Sequence, residues 1–262
     1  MLHHPTLDQL KHLKLHGMAR AFAELGDNAQ AGELDHAQWL ALLLDTEEAE
    51  RDDRRLTYRL RNAKLRHGEA CIEDIDYRSP RHLDKALFQQ LAQGQWITRK
   101  QNLIITGPCG VGKSWLACAL GQKACRDDYS VLYKRLPRMF AELDMGRADG
   151  RYPRLFRALT KPNLLILDDW GPERLSADQR RDLMEIVEDR YQNASTMITS
   201  QLPLAKWHEI IGEPTFADAI LDRIVHNPHR IDLDGPSMRK TLADKAGADK
   251  NNANLIDQEQ GK

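Results

Sequence analysis

The chain has 262 residues, a formal net charge of -1 and 41% apolar residues, enough for one large domain with a small appendage and a sizeable core. Charge so close to balance excludes a bulk electrostatic grip on nucleic acid, so any such contact must come from local patches. No apolar run approaches the roughly 20 residues that span a bilayer, and the first residues carry no signal pattern, so a cytoplasmic protein without membrane contact is expected.

The N-terminal part reads as helical. Thr6 with Gln9 suggests a capping box ahead of Leu7, Leu10, Leu13 and Leu15. Gly17 breaks that pattern, and Met18, Phe22 and Leu25 form a second short stripe. Asp35 with Gln38 suggests another capping box, opening a long helix with Trp39, Leu40, Leu43 and Leu44 on one side. Its acidic start and basic end, Arg51 to Arg66, complement a helix dipole. The run reads first as a solvated face, with DNA contact as the alternative. Residues 68–80, with Asp74, Asp76, Ser79 and Pro80, suggest a connector.

Beyond it, short apolar strands alternate with helical stretches: residues 102–106, 130–134, 163–168, 196–200 and 230–234. Continuous apolar strands between helices imply a parallel sheet covered on both faces. The predicted organisation is a helical domain over residues 1–75, an α/β domain over 76–242 and a disordered tail over 243–262. Cys71, Cys109, Cys118 and Cys125 follow no disulfide or metal spacing and read as free thiols. His226 and His229 lack companion metal ligands.

Gly107-Pro108-Cys109-Gly110-Val111-Gly112-Lys113-Ser114 matches the phosphate loop G-x-x-x-x-G-K-S, with a strand before it and a helix from Trp115 after it. Glycines let the backbone turn its N–H groups toward phosphates, and the helix N-terminus adds favourable partial charge. Lys113 then neutralises the β- and γ-phosphates of ATP, and the Ser114 hydroxyl ligates Mg2+. In Leu164-Leu165-Ile166-Leu167-Asp168-Asp169 a buried strand delivers two carboxylates. Asp168 is assigned to magnesium through water, and Asp169 to orienting or deprotonating the attacking water. Arg223 and Arg239 are each either a cation for the γ-phosphate or a surface ion-pair partner. Lys134, Arg135, Arg138, Arg147, Arg151, Arg154 and Arg157 are the candidate DNA contacts, each balanced against a solvated face. Arg154, Arg157 and Lys161 recur at helical spacing.

These motifs in this order resemble the IstB-like ATP-binding proteins, helper ATPases of an insertion-sequence transposase and relatives of DnaC and DnaA. The resemblance spans residues 7–241. It includes Leu10 to Met18, Asp74-Ile75-Asp76-Tyr77, Gln95-Trp96-Ile97, the phosphate loop, Arg190-Tyr191, Lys206-Trp207, Ala219 to Arg223 and Gly235 to Arg239. It implies a P-loop AAA+ core with a five-stranded parallel sheet, behind a small all-helical N-terminal domain and without a full C-terminal lid domain. It implies Arg223 as a finger into a neighbouring subunit's site, Arg239 as a second sensor, and Thr199-Ser200-Gln201 as the first, with Gln201 in a catalytic role. It also implies ATP hydrolysis, double-stranded DNA and a transposase as partners, and a homo-oligomer assembled by ATP and DNA. Rival readings are a DnaC-like helicase loader and a nucleotide-gated DNA scaffold with negligible turnover. The scaffold reading draws on Asp169, where the family often has Glu, and on Gln201, where it often has Asn. Ser114 replaces the family's usual Thr and keeps the hydroxyl, and Cys109 stands where Thr is frequent.

Overall fold

A computed structural model describes residues 4–26, 34–171, 173–226 and 228–238. Arg239 and the tail 243–262 lie outside the described residues. The chain separates into two compact units, Met1–Arg61 and Asn62–Lys262.

The first unit is helical. α1 spans Pro5–His12, α2 His16–Gly26, and α3 begins at His36 and continues to Ala63. The expected Thr6–Gln9 capping box does not form. Pro5, with its φ already helical, starts α1 two residues earlier, and His4 caps it without a side-chain bond. The Asp35–Gln38 box does form, with reciprocal bonds of 3.0 and 2.8 Å. Gly17 lies inside α2 rather than at a break. A Cβ there would sit 2.5 Å from the Thr46 carbonyl oxygen, so only glycine lets α2 approach α3 so closely. The buried Glu47 carboxylate accepts from the Gly17 and Met18 N–H groups at 2.8 and 3.2 Å, satisfying orphan donors at the start of α2. Burial pushes this carboxyl upward, but Arg51 and those two N–H groups outweigh it and hold its pKa below the ordinary value. Along α3, Arg51 pairs with Glu47, Arg54 with Glu50 and Arg55 with Asp52. Those three arginines are exposed and ion-paired within the helix.

The second unit is a three-layer α/β fold. α4 (Lys85–Ala92) and α5 (Gln95–Thr98) lead into β1 (Leu103–Thr106). Then come α6 (Lys113–Arg126), β2 (Val131–Arg135), α7 (Leu136–Ala148), α8 (Tyr152–Thr160) and β3 (Leu164–Trp170). The remainder is α9 (Ala177–Arg190), β4 (Ser195–Ser200), α10 (Trp207–Ile211), α11 (Pro214–Val225) and β5 (His229–Asp232). All five expected strands form within two residues of the expected limits. They pair in parallel in the order β2-β3-β4-β1-β5, so the phosphate-loop strand is interior. β1 and β4 are buried along their whole length, as strands with both faces covered must be. One core joins Leu165 and Leu167 of β3 to α7, α9 and α11 through Phe140, Ile186 and Ile220, with Trp170 stacked on Trp207. Among the described residues no helical lid domain follows β5.

Candidate nucleotide site

Parallel strands deliver their C-terminal ends to one edge of the sheet, where ligand sites of such folds form. β1 ends at Thr106 and the chain turns through Gly107, Gly110 and Gly112, whose φ values are +145°, +89° and +96°. This left-handed region suits glycine, and the space does too: a Cβ on Gly107 would lie 2.4 Å from the Leu233 carbonyl oxygen. Pro108 and Cys109 are exposed at the tip, Val111 is buried, and Trp115 is half-buried in the first turn of α6. Lys113 is buried, and its Nζ donates to the Gly107 and Pro108 carbonyls at 2.7 Å each, so the ammonium lies across the mouth of the loop.

Asp168, fully buried, is the hub. Its Oδ1 accepts from Ser114 Oγ at 2.7 Å and Thr199 Oγ1 at 2.5 Å, and its Oδ2 from the Tyr133 hydroxyl at 2.5 Å. Arg66 Nη1 stands 3.7 Å from Oδ2. Burial, then the Asp168 carboxylate, push the Tyr133 phenol far up, so it remains a donor. The hydroxyl of the phosphate loop and the carboxylate of β3 thus meet as the sequence motifs require. This pair of hard oxygen donors is the chemistry a magnesium ion takes.

The neighbouring carboxylate goes elsewhere. β3 shifts register between Leu167 and Trp170, and Asp169 has φ +64°. A bulge of this kind re-aims side chains beside active sites, and the left-handed geometry costs a non-glycine residue about 1–2 kcal/mol. Asp169 Oδ2 accepts from Arg135 Nη2 at the end of β2, while its N–H faces Thr199 Oγ1 at 3.3 Å. Within Thr199-Ser200-Gln201, Thr199 reaches the hub, whereas Gln201 is exposed beyond the end of β4.

Arg223 lies at the opposite edge. Asn102, just before β1, donates to the Arg223 carbonyl at 3.2 Å, so the length of β1, about 13 Å for four residues, separates Arg223 from the loop. Its guanidinium pairs with Glu188, donates to the Ala219 carbonyl and sits 6.0 Å from the Tyr191 ring. A cavity of about 280 Å³ there is lined by Arg99, Lys100, Arg190, Tyr191 and Arg223 among others. Arg190 is an internal strut, holding the Leu159, Thr160, Pro162 and Ser195 carbonyls and Thr196 Oγ1.

Four of the candidate DNA contacts have carboxylate partners: Lys134 with Glu142, Arg135 with Asp169, Arg147 with Asp182, and Arg151 with Asp149. Arg138, Arg154 and Arg157 are exposed, and no described carboxylate lies within ion-pair distance of them. Among the described residues no His, Cys, Asp or Glu cluster forms a metal cage, and none of the four cysteines forms a disulfide.

Three residues were not expected at the nucleotide site: Tyr133, Arg66, and Arg81, whose Nη1 donates to the Val111 carbonyl at 3.2 Å. A tyrosine inside the apolar run of β2 is a detectable signal, because a buried hydroxyl needs a partner. Arg66 and Arg81 carry no local signal.

A family profile described as IstB-like ATP binding protein matches residues 8–246. An insertion sequence ATP-binding protein of Sinorhizobium fredii, y4pL, is 61% identical over 246 residues, covering 94% of this chain and 100% of its own. The IS1162 ATP-binding protein of Pseudomonas fluorescens is 47% identical, covering 78% of this chain and 88% of its own. Among solved structures, DnaI aligns with TM-score 0.56 at 23% identity, over 64% of this chain and 92% of its own. The DnaC helicase loader aligns with TM-score 0.53 at 20% identity, over 64% and 98%. At that identity both speak for the AAA+ fold alone. Profile, relatives and fold agree, and the chain belongs to the IstB-like ATP binding protein family.

Proposed function

We propose that this chain is a magnesium-dependent ATPase that assembles on double-stranded DNA and assists a transposase, working in the cytoplasm where ATP and DNA are found. The observation that carries the reading is the bond from Ser114 Oγ to Asp168 Oδ1, closed beside Lys113 at the end of β1. Loop hydroxyl, loop ammonium and strand carboxylate together are the parts a nucleoside triphosphate with its metal needs.

Gly107 to Ser114 would hold the phosphates through backbone N–H groups, with Lys113 exchanging its loop carbonyls for phosphate oxygens. Ser114 and Asp168 would hold the magnesium ion, Asp168 through water. When bound, the ion screens phosphate charge as it redistributes. Thr199 keeps Asp168 aligned, and Asp169 accepts the proton of the attacking water once Arg135 releases its carboxylate. Arg223 is too far from its own loop to serve it, so it is assigned to the site of a neighbouring copy. Arg239 is kept as the second sensor, because Met238, one residue before it, donates its N–H to the Gly110 carbonyl at 2.9 Å.

DNA and transposase enter through the relatives, which are insertion sequence proteins, and through the unpaired cations of α8. The Asp169–Arg135 pair favours a second reading, a scaffold gated by nucleotide with very slow turnover. Titration calorimetry tests the site itself. Lys113→Ala should abolish measurable binding of ATP with magnesium, and unchanged affinity would refute the assignment.

A further inference from the structure

Arg81 lies in the stretch between the first helices and α4, and it is 3% exposed. Its Nη1 donates to the Val111 carbonyl of the phosphate loop at 3.2 Å, and its Nη2 to the Asp76 carbonyl at 3.0 Å. Its Nε is buried and has no hydrogen-bond partner among the described residues. No described carboxylate comes within ion-pair distance. The Asp76 carboxylate is occupied by the Ser79 hydroxyl at 2.6 Å and the Arg78 N–H at 2.8 Å. Burial pulls the guanidinium pKa below the ordinary value, only partly offset by Asp76 and Tyr77, yet arginine keeps its proton in proteins.

The charge is also close to the loop. A Cβ on Gly112 would lie 2.7 Å from Arg81 Nη1, so the guanidinium fills the space beside the glycine that precedes Lys113. Backbone fixes it from the other side: the Asp234 N–H donates to the Arg81 carbonyl at 3.1 Å. A Cβ on Gly235 would meet the Pro80 carbonyl oxygen at 2.1 Å. Arg81 is therefore pinned between the phosphate loop and the chain after β5.

A buried cation whose donors are only partly satisfied is unfavourable by itself, and it becomes favourable when an anion arrives within the same low-dielectric region. We propose that Arg81 is a positioning residue for nucleotide: its buried charge, only partly offset by Asp76 and with no described carboxylate at ion-pair distance, is balanced by the polyphosphate of a bound nucleoside triphosphate, while its bond to Val111 fixes the loop backbone. The proposal rests on the phosphate-loop reading above.

It separates apo stability from ligand affinity, which a plain structural strut would not. Arg81→Met keeps much of the apolar stem and removes the charge. The nucleotide-free variant should melt no lower than the wild type. Its ATP dissociation constant should rise roughly tenfold or more, the range for losing a charged interaction. Arg81→Lys should recover most of that affinity. Unchanged ATP affinity in Arg81→Met would overturn the proposal, as would a Lys variant as weak as the Met variant. If Arg81→Met fails to fold, Arg81→Gln replaces it, and equal affinity of the Lys and Gln variants would overturn the proposal. Failure of the wild type to bind ATP would sink the site reading itself. ATP binding by the wild type with no change at Arg81 would sink this inference alone.

Discussion

The two ends of β1 are built from opposite chemistry. At its C-terminal end, glycines with left-handed backbones surround Lys113, and a fully buried carboxylate collects bonds from Ser114, Thr199 and Tyr133. At its N-terminal end lie cations: Arg223, Arg99 and Lys100 around one cavity, with Arg190 buried beneath. Helix α8, carrying Arg154 and Arg157, also ends at that edge, its last carbonyls bound by Arg190. One end is equipped to bind polyphosphate and metal. The other gathers positive charge, which the proposed function assigns to a γ-phosphoryl group held by a neighbouring copy. In the proposed function these two groups, a strand length apart in one chain, join between copies.

Substitutions that act on one end and spare the other test that division. The largest effect is expected from Arg223→Ala. Steady-state kinetics should show turnover lower by roughly 10³-fold or more with ATP affinity unchanged, the effect expected of an arginine finger. A parallel loss of ATP binding would mean that Arg223 supports the fold through Glu188 and Tyr191 instead. Asp169→Asn comes next, at the loop end. Turnover should fall by about 10²-fold, the lower range for a lost general base, again with ATP affinity retained. Equal turnover in the two proteins would favour the gated scaffold and leave Arg135 as the lasting partner of position 169. The smallest effect concerns α8. Replacing both Arg154 and Arg157 by Ala should reduce the slope of log affinity for duplex DNA against log salt by about 2, one per lost phosphate contact. An unchanged slope would place the DNA surface elsewhere.

Much of the loop end was legible in the sequence, because its chemistry is local. Residues 107–114 form a continuous motif, and four apolar residues before Asp168 identify a buried strand that must end beside it. What stayed illegible depends on tertiary geometry. A strand pattern places Asp168 and Asp169 next to each other, but the bulge that sends one to Ser114 and the other to Arg135 leaves no mark on composition. Gly17 reads as a break because glycine usually punctuates helices, whereas here it permits contact with the α3 backbone. Residues scored as DNA candidates by charge alone included four with carboxylate partners distant or near in sequence, such as Arg147 with Asp182. Arg223 could be located in a helix before the last strand, but its role came from resemblance, since no local pattern tells a finger from a surface ion pair.

The most direct measurement mixes two inactive proteins, Lys113→Ala and Arg223→Ala, in the presence of duplex DNA and ATP. Each lacks one end of the site and keeps the other, so mixed assemblies bring an intact loop against an intact Arg223. Mixing should restore ATPase activity that neither protein shows alone, with a maximum near equal proportions. Absence of any restored activity, while both proteins still co-assemble on DNA, would contradict a site shared between copies.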